Sequence, residues 1–152
     1  MDDWKASGKL DTDNILDQGI VSRLESLKQK VNTEMQAYRL YEVVPPLFEF
    51  LDDLTNWYIR LNRARFWQSE MNQDKDSAYA TLYYCLNTFS TLMAPFAPFL
   101  SEHVYQELKG YSLESEQPLS VHLCDYPQPN TQPKKPELEN NAQRLTPRHI
   151  QG

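Results

Sequence analysis

Arg60, Arg63 and Arg65 stand among aromatic side chains in the run Asn56-Trp57-Tyr58-Ile59-Arg60-Leu61-Asn62-Arg63-Ala64-Arg65-Phe66-Trp67. These residue types suit nucleic-acid recognition. A guanidinium forks onto phosphate oxygens or a guanine edge, an asparagine amide reads a base edge, and an exposed indole stacks on an unpaired base. On a wheel of 3.6 residues per turn, Arg60 and Arg63 lie about 60° apart and Trp67 falls between them one to two turns on. With Asn56 they form a stripe facing away from the apolar positions. Arg65 falls toward the apolar side, where it snorkels or pairs with an internal carboxylate, and Phe66 joins it in a second tier of candidates. The competing reading is a solvated helix end whose bases complement the macrodipole.

Other constellations do not assemble. His103 stands beside Glu102, His122 lies in a short apolar–polar alternation, and His149 lies near the end of the chain. None has a nucleophile or a second ligand at metal spacing, so all three read as surface or capping histidines. Asp52 and Asp53 are adjacent and cannot both face one substrate from a helix. Cys85 and Cys124 show no paired-thiol motif and are expected to be reduced thiols, buried or half-buried. Four glycines in 152 residues leave no phosphate-cradling loop. No catalytic, metal or cofactor site is expected in this chain.

The formal charge is −6, from 15 Lys plus Arg against 21 Asp plus Glu. That disfavours a general nucleic-acid binder unless the bases cluster, and DNA is not an expected partner. No apolar run approaches the roughly 20 residues that span a bilayer, and the first residues do not read as a signal peptide. A cytoplasmic chain without a membrane partner is the expectation. Residues 1–13 read as a polar lead-in and 14–127 as the folded unit. The proline-rich 128–152 read as a flexible linker or tail, as in a piece of something longer.

Four amphipathic helices must position the candidates. The first runs from about Asn14 to Met35, capped by Asp13 or Asn14, with Leu16, Ile20, Leu24, Leu27, Val31 and Met35 on one stripe. The second runs from Leu40 or Pro45 to Phe66 and buries Val44, Leu47, Leu51, Leu54, Tyr58 and Leu61. The third, from about Lys75 to Met93, aligns Ala78, Leu82, Leu86, Phe89 and Met93. The fourth starts near Pro98, aligns Leu100, Val104 and Leu108, and stops at Gly110. Leu119–Cys124 alternates and reads as an extended strand or strap across the bundle. The fold class is all-α: an up-and-down bundle of four to five antiparallel helices with a short extended strap after the last.

The run at Asn56–Trp67, preceded by Asp52-Asp53-Leu54-Thr55, resembles the anticodon-binding helical domain of isoleucyl-tRNA synthetases, which are class I aminoacyl-tRNA synthetases. Asp17–Leu24, Met35–Val44, Met93–Val104 and Ser120–Pro127 match further segments in the family's order, so the resemblance covers roughly Asn14 to Pro127. Gly19 stands where the family usually has tryptophan, and Ala64 replaces a common arginine. The resemblance implies a domain that holds the anticodon stem-loop of tRNA(Ile), with Asn56, Arg60, Arg63 and Trp67 as first candidates for RNA contact. It also implies partner domains of the same synthetase that carry the chemistry with ATP and Mg²⁺. The family's His-x-Gly-His and Lys-Met-Ser-Lys-Ser signatures do not occur in this sequence. The alternative from another class is a helical protein–protein interaction module without RNA binding.

Overall fold

The computed structural model describes residues 4–6, 10, 12–113 and 117–130. Among these residues the chain forms an all-α bundle with no strand beyond one isolated parallel bridge, Ala6 to Ser112. Helix α1 spans Ile15–Gln36, α2 Val44–Asp52, α3 Arg63–Phe66, α4 Gln73–Met93 and α5 Pro98–Lys109. A 3₁₀ turn at Leu40–Glu42 leads into α2, and another at Val121–Leu123 follows α5. Helix α1 packs on both α2 and α4, α3 packs on α4, and α5 packs on α4.

The helix ends follow local chemistry. Asn14 caps α1, its side chain accepting from the amides of Leu16 at 2.9 Å and Asp17 at 3.3 Å. Asn72 caps α4 by accepting from the Lys75 amide at 2.8 Å. Pro98 opens α5 and Gly110 closes it. The predicted α1 stripe is the one buried: Ile20, Leu24, Leu27 and Val31 lie in the main core, with Leu16 and Met35 packed at its margin.

The second helix differs from expectation. It is not one α-helix, because Asp53–Ile59 adopt π-helical turns between α2 and the short α3. The i→i+5 pattern puts more residues in each turn and breaks the fixed period on which the wheel relies. Leu47, Leu54 and Tyr58 are buried as expected, but Val43 and Phe50 are buried in place of the half-buried Val44 and Leu51. Leu61 is 40% exposed, while Asn62 takes the inward position at 1%. Side chains support the widened turns at both ends. The Thr55 hydroxyl donates to the Leu51 carbonyl at 2.9 Å, and the Asn62 amide donates to the Tyr58 carbonyl at 2.8 Å. From α1, Arg23 pairs with Asp53 at 2.7 Å and lies 4.5 Å over the buried Trp57 ring. Burial raises the Asp53 pKa, and Arg23 only partly offsets that.

Two further faces are rotated from expectation. On α4 the most deeply buried side chains are Ala78, Thr81, Cys85 and Leu92, with Leu82, Leu86 and Phe89 partly buried beside them. On α5, Ser101 and Tyr105 face inward, while Leu100 is exposed and Val104 and Leu108 are half-buried. The Tyr105 ring packs with Ala94 and Val121, and its hydroxyl donates to the Pro118 carbonyl at 2.8 Å. A small serine and a tyrosine with a satisfied hydroxyl therefore fill the contact in place of the leucine.

The segment after α5 crosses the bundle as a strap rather than a strand. Val121 is its buried plug, and Glu102 holds it by accepting from the Ser120 hydroxyl at 2.8 Å and the Val121 amide at 2.9 Å. Within the lead-in, residues 4–6 are also docked. Trp4 is buried against Tyr79 and Tyr83, and its indole N–H donates to Asp76 at 2.7 Å. Beyond the strap, Asn32 donates to the Pro127 carbonyl at 2.9 Å, and the Asn130 amide donates to Glu25 at 3.1 Å. Of the expected tail over 128–152, residues 131–152 lie outside the described residues.

Candidate nucleic-acid interface

The lower end of the bundle is organised around Asp17, which is fully buried at the start of α1. Arg65 grips it with both guanidinium nitrogens, Nη1 at 2.7 Å from Oδ1 and Nη2 at 3.0 Å from Oδ2. Tyr58 Oη donates to Asp17 Oδ1 at 2.7 Å and Thr12 Oγ1 to Oδ2 at 2.8 Å. Arg65 also reaches Asp74 at the start of α4 and donates to Asn62 Oδ1 at 2.9 Å. Burial alone lowers the Arg65 pKa, but its hydrogen bonds to Asp17 and Asp74 outweigh this and hold it above the ordinary arginine value. Burial, reinforced by the Asp17 charge, raises the Tyr58 pKa. The hydroxyl thus stays a donor, and the buried carboxylate has partners on both oxygens.

This network fixes α3 against α1 and α4, and so sets the direction of the neighbouring side chains. Of the six candidates, Arg65 is the internal clamp. Phe66 is half-buried, edge-on to Tyr58 and stacked on Tyr79 at 5.7 Å between centroids. Asn56, Arg60, Arg63 and Trp67 are all exposed. Asn56 donates to Asp52 on the preceding turn. The Arg60 side chain makes no hydrogen bond, ion pair or ring contact among the described residues. Arg63 lies 5.3 Å over the Trp67 ring, and Trp67 is 74% exposed.

Arg63, Phe66 and Trp67 meet at an open cavity of ≈ 480 Å³ between the α2–α3 arm and α4. Ile59, Phe66, Tyr79 and Leu82 supply its apolar and aromatic surface. Lys75 also lines it, with its ammonium 5.6 Å over the Tyr79 ring and donating to the Gln68 carbonyl at 2.5 Å. Neither Arg63 nor Lys75 pairs with a carboxylate among the described residues. Sequence reasoning missed Lys75 and Tyr79, because they lie on another helix and meet Arg63 only through the fold.

The remaining chemistry-bearing residues lie elsewhere. Cys85 and Cys124 are free thiols, the first buried and the second half-buried, and burial pushes the Cys85 thiol pKa up. His103 and His122 are exposed, and His149 lies outside the described residues. Gly19 is buried within α1, and Ala64 is exposed on α3. Among the described residues, no group of three His, Cys, Asp or Glu side chains forms a metal cluster. No described helix is long and apolar enough to cross a membrane.

The family model for the anticodon-binding domain of tRNA ligase matches residues 17–148. An isoleucine–tRNA ligase from Bdellovibrio bacteriovorus is 50% identical over 126 residues, covering 83% of this chain and 12% of the relative. One from Chlamydia trachomatis serovar L2 is 44% identical over 137 residues, covering 88% of this chain and 13% of the relative. One from Chlamydia pneumoniae is 49% identical over 124 residues, covering 82% and 12%. The chain thus spans about an eighth of the length of these relatives. By its all-α bundle and a family match across most of its length, this chain belongs to the anticodon-binding domains of tRNA ligases.

Proposed function

We propose that this chain binds the anticodon stem-loop of tRNA(Ile) and positions that tRNA for ATP- and Mg²⁺-dependent aminoacylation. The isoleucine–tRNA ligase activity itself is assigned to other domains of the same synthetase, since neither ATP-site signature occurs here. The observation that carries the reading is the exposed cation–aromatic surface at Arg60, Arg63 and Trp67 on a chain of net charge −6. These bases are not spent on internal ion pairs, whereas Arg65 is. Asn56 is assigned to a base edge, Arg60 and Arg63 to phosphate or base edges, and Trp67 to stacking. Arg65 and Phe66 act from behind by holding α3 in place.

The test is retardation of a tRNA(Ile) transcript and of the same transcript with a substituted anticodon. Preferential binding of the first, weakened by Arg60→Ala and Arg63→Ala with unchanged melting, supports the reading. Equal binding of both transcripts overturns the anticodon assignment. The same variants belong in the full-length ligase, where loss of tRNA affinity should appear as a raised KM for tRNA.

A second reading, a helical protein–protein interaction module without RNA binding, draws on the opposite end of the bundle. There Phe99 and Leu100 at the start of α5 are 90% and 60% exposed. On that reading no tRNA transcript is retarded, and substituting both with serine should disturb a protein contact.

A further inference from the structure

We infer that the turn joining α1 to α2, where Tyr38, Leu40, Tyr41 and Phe48 are exposed, is the docking surface for another domain of the same polypeptide, one that presents an apolar patch edged with Lys or Arg. The first observation is a backbone conformation that the bundle alone does not favour. Helix α1 ends in a Schellman turn, with the Tyr38 amide donating to the Met35 carbonyl at 3.1 Å and the Arg39 amide to the Glu34 carbonyl at 2.9 Å. Its left-handed position is held by Tyr38, with φ 57°, where glycine would sit without strain. The Tyr38 ring is 90% exposed. A bulky side chain is thus kept in a strained conformation without gaining burial in the bundle, which points to a contact outside it.

The turn is also rigid. The buried Glu34 carboxylate accepts from Arg39 Nε at 2.6 Å, Arg39 Nη2 at 3.2 Å and Lys30 Nζ at 3.1 Å. The Glu42 amide donates to the Arg39 carbonyl at 3.0 Å and carries this clamp into the 3₁₀ turn. Tyr38 and Tyr41 therefore project from a fixed frame, and little freedom is lost when a partner covers them. With aromatic side chains at about 150–250 Å² each, the four residues expose roughly 500 Å². That is about the size of the largest patch on an ordinary monomer, and such patches are often functional. It also matches the apolar part, somewhat over half, of one partner's share of about 800 Å² in a standard interface.

Charge and length identify the occupant. Glu42 and Glu49 are exposed beside the patch, and the Arg39 guanidinium is bound to Glu34. This acidic rim repels a phosphate backbone and attracts Lys and Arg. A second copy of this chain would bring acidic rim against acidic rim. The chain covers 12% and 13% of the isoleucine–tRNA ligases from Bdellovibrio and Chlamydia. In a ligase of that length most residues lie outside this bundle, tethered to it and so at high local concentration. The patch lies about 30 Å along α1 from Asp17, which leaves the Arg60–Trp67 face open for RNA.

Hydroxyl-radical labelling of Tyr38 and Tyr41, read by mass spectrometry, tests this on the 152-residue chain and on the full-length ligase, each with and without a tRNA(Ile) transcript. Both tyrosines should label fast in the chain at every concentration, and several-fold slower in the ligase before tRNA is added. In the ligase, Tyr41→Ser combined with Phe48→Ser should return Tyr38 to its rate in the chain. Tyr38→Gly should leave the melting temperature of the chain no lower, and should speed the labelling of Tyr41 in the ligase.

Equal labelling in chain and ligase overturns the inference. Slowing in the chain as its concentration rises assigns the surface to a second copy, and slowing in the ligase only after tRNA is added assigns it to RNA; either result overturns it. So does a Tyr38 that stays shielded in a folded Tyr41→Ser, Phe48→Ser ligase. If that variant unfolds, Tyr38→Gly carries the test, and an unchanged Tyr41 rate there is the overturning result.

Discussion

Arg63 and Arg65 stand two positions apart in one sequence run, yet their surroundings assign them opposite work. Arg65 is committed to the buried Asp17 carboxylate, so Arg65→Ala leaves an unpaired buried charge and should cost about 3–5 kcal/mol of stability. Chemical denaturation measures this, and Arg65→Lys should recover little, because an ammonium cannot reproduce the fork onto both Asp17 oxygens. Tyr58→Phe removes one charge-assisted hydrogen bond from Asp17 and should cost about 1.5–3 kcal/mol in the same assay. Arg63→Ala, by contrast, should change stability by less than about 0.5 kcal/mol while weakening RNA binding. The inward turn of Arg65 was legible in the sequence, because its wheel position lies on the apolar side. Its partner was not, since Asp17 is 48 positions away and nothing local couples the two. The Arg63–Trp67 contact was within reach of the i, i+4 rule, but Lys75 required the packing of α4 against the arm.

Helix ends were the most readable elements, since Asn14 carries capping chemistry and Pro98 a fixed φ in their own side chains, and Gly110 stands just past the last residue of α5. The π segment was unreadable by the same route. A wheel assumes one period, and the widened turns at Asp53–Ile59 shift the phase so that Asn62 replaces Leu61 in the interior. Deleting Thr55 should return the segment toward an α-helical register while leaving the later side chains on their present faces, because one residue fewer and the lost widening turn the chain by about 100° in opposite senses. Asn62 would stay inward and Arg65 on Asp17. The expected outcome is a cooperative melt and retained RNA retardation, whereas inserting an alanine after Asn62, where no widened turn absorbs it, should swing Arg65 off Asp17 and lose both. On α5 the sequence favoured Leu100 by hydrophobicity, but Ser101 and Tyr105 fill the interior, which hydropathy alone does not foresee.

The strap behind α5 adds a pH dependence. Hydrogen bonds from Gln106 and then Ser120 hold the Glu102 pKa below its ordinary value of 4.5. A depressed folded pKa stabilises the docked strap fully above that ordinary value, and the contribution is lost as pH falls through the folded value. Hydrogen exchange at the Val121 amide should therefore accelerate on acidification, and Glu102→Gln should remove most of that dependence.

At the scale of the whole molecule, the bundle is clasped at its lower end by a segment that sequence periodicity could not flag. A single tryptophan among polar residues has no stripe, yet Trp4 is buried between Tyr79 and Tyr83 and donates to Asp76. Trp4→Ala should cost about 3–5 kcal/mol, at the upper end if the tyrosines cannot close over the gap, as read from the shift in denaturation midpoint. The same segment bonds the end of α5, with Ala6 donating to the Tyr111 carbonyl at 2.7 Å and Lys5 to that of Gly110. The clasp at residues 4–6 thus joins α4 to the end of α5, and it leaves no swivel at Trp4. In hydrodynamic terms, the Trp4 indole must tumble at the rate of the entire bundle, so its anisotropy should decay with one slow correlation time. A rotation imposed at Trp4 turns α4, and with it the cavity wall that carries Lys75, as one body.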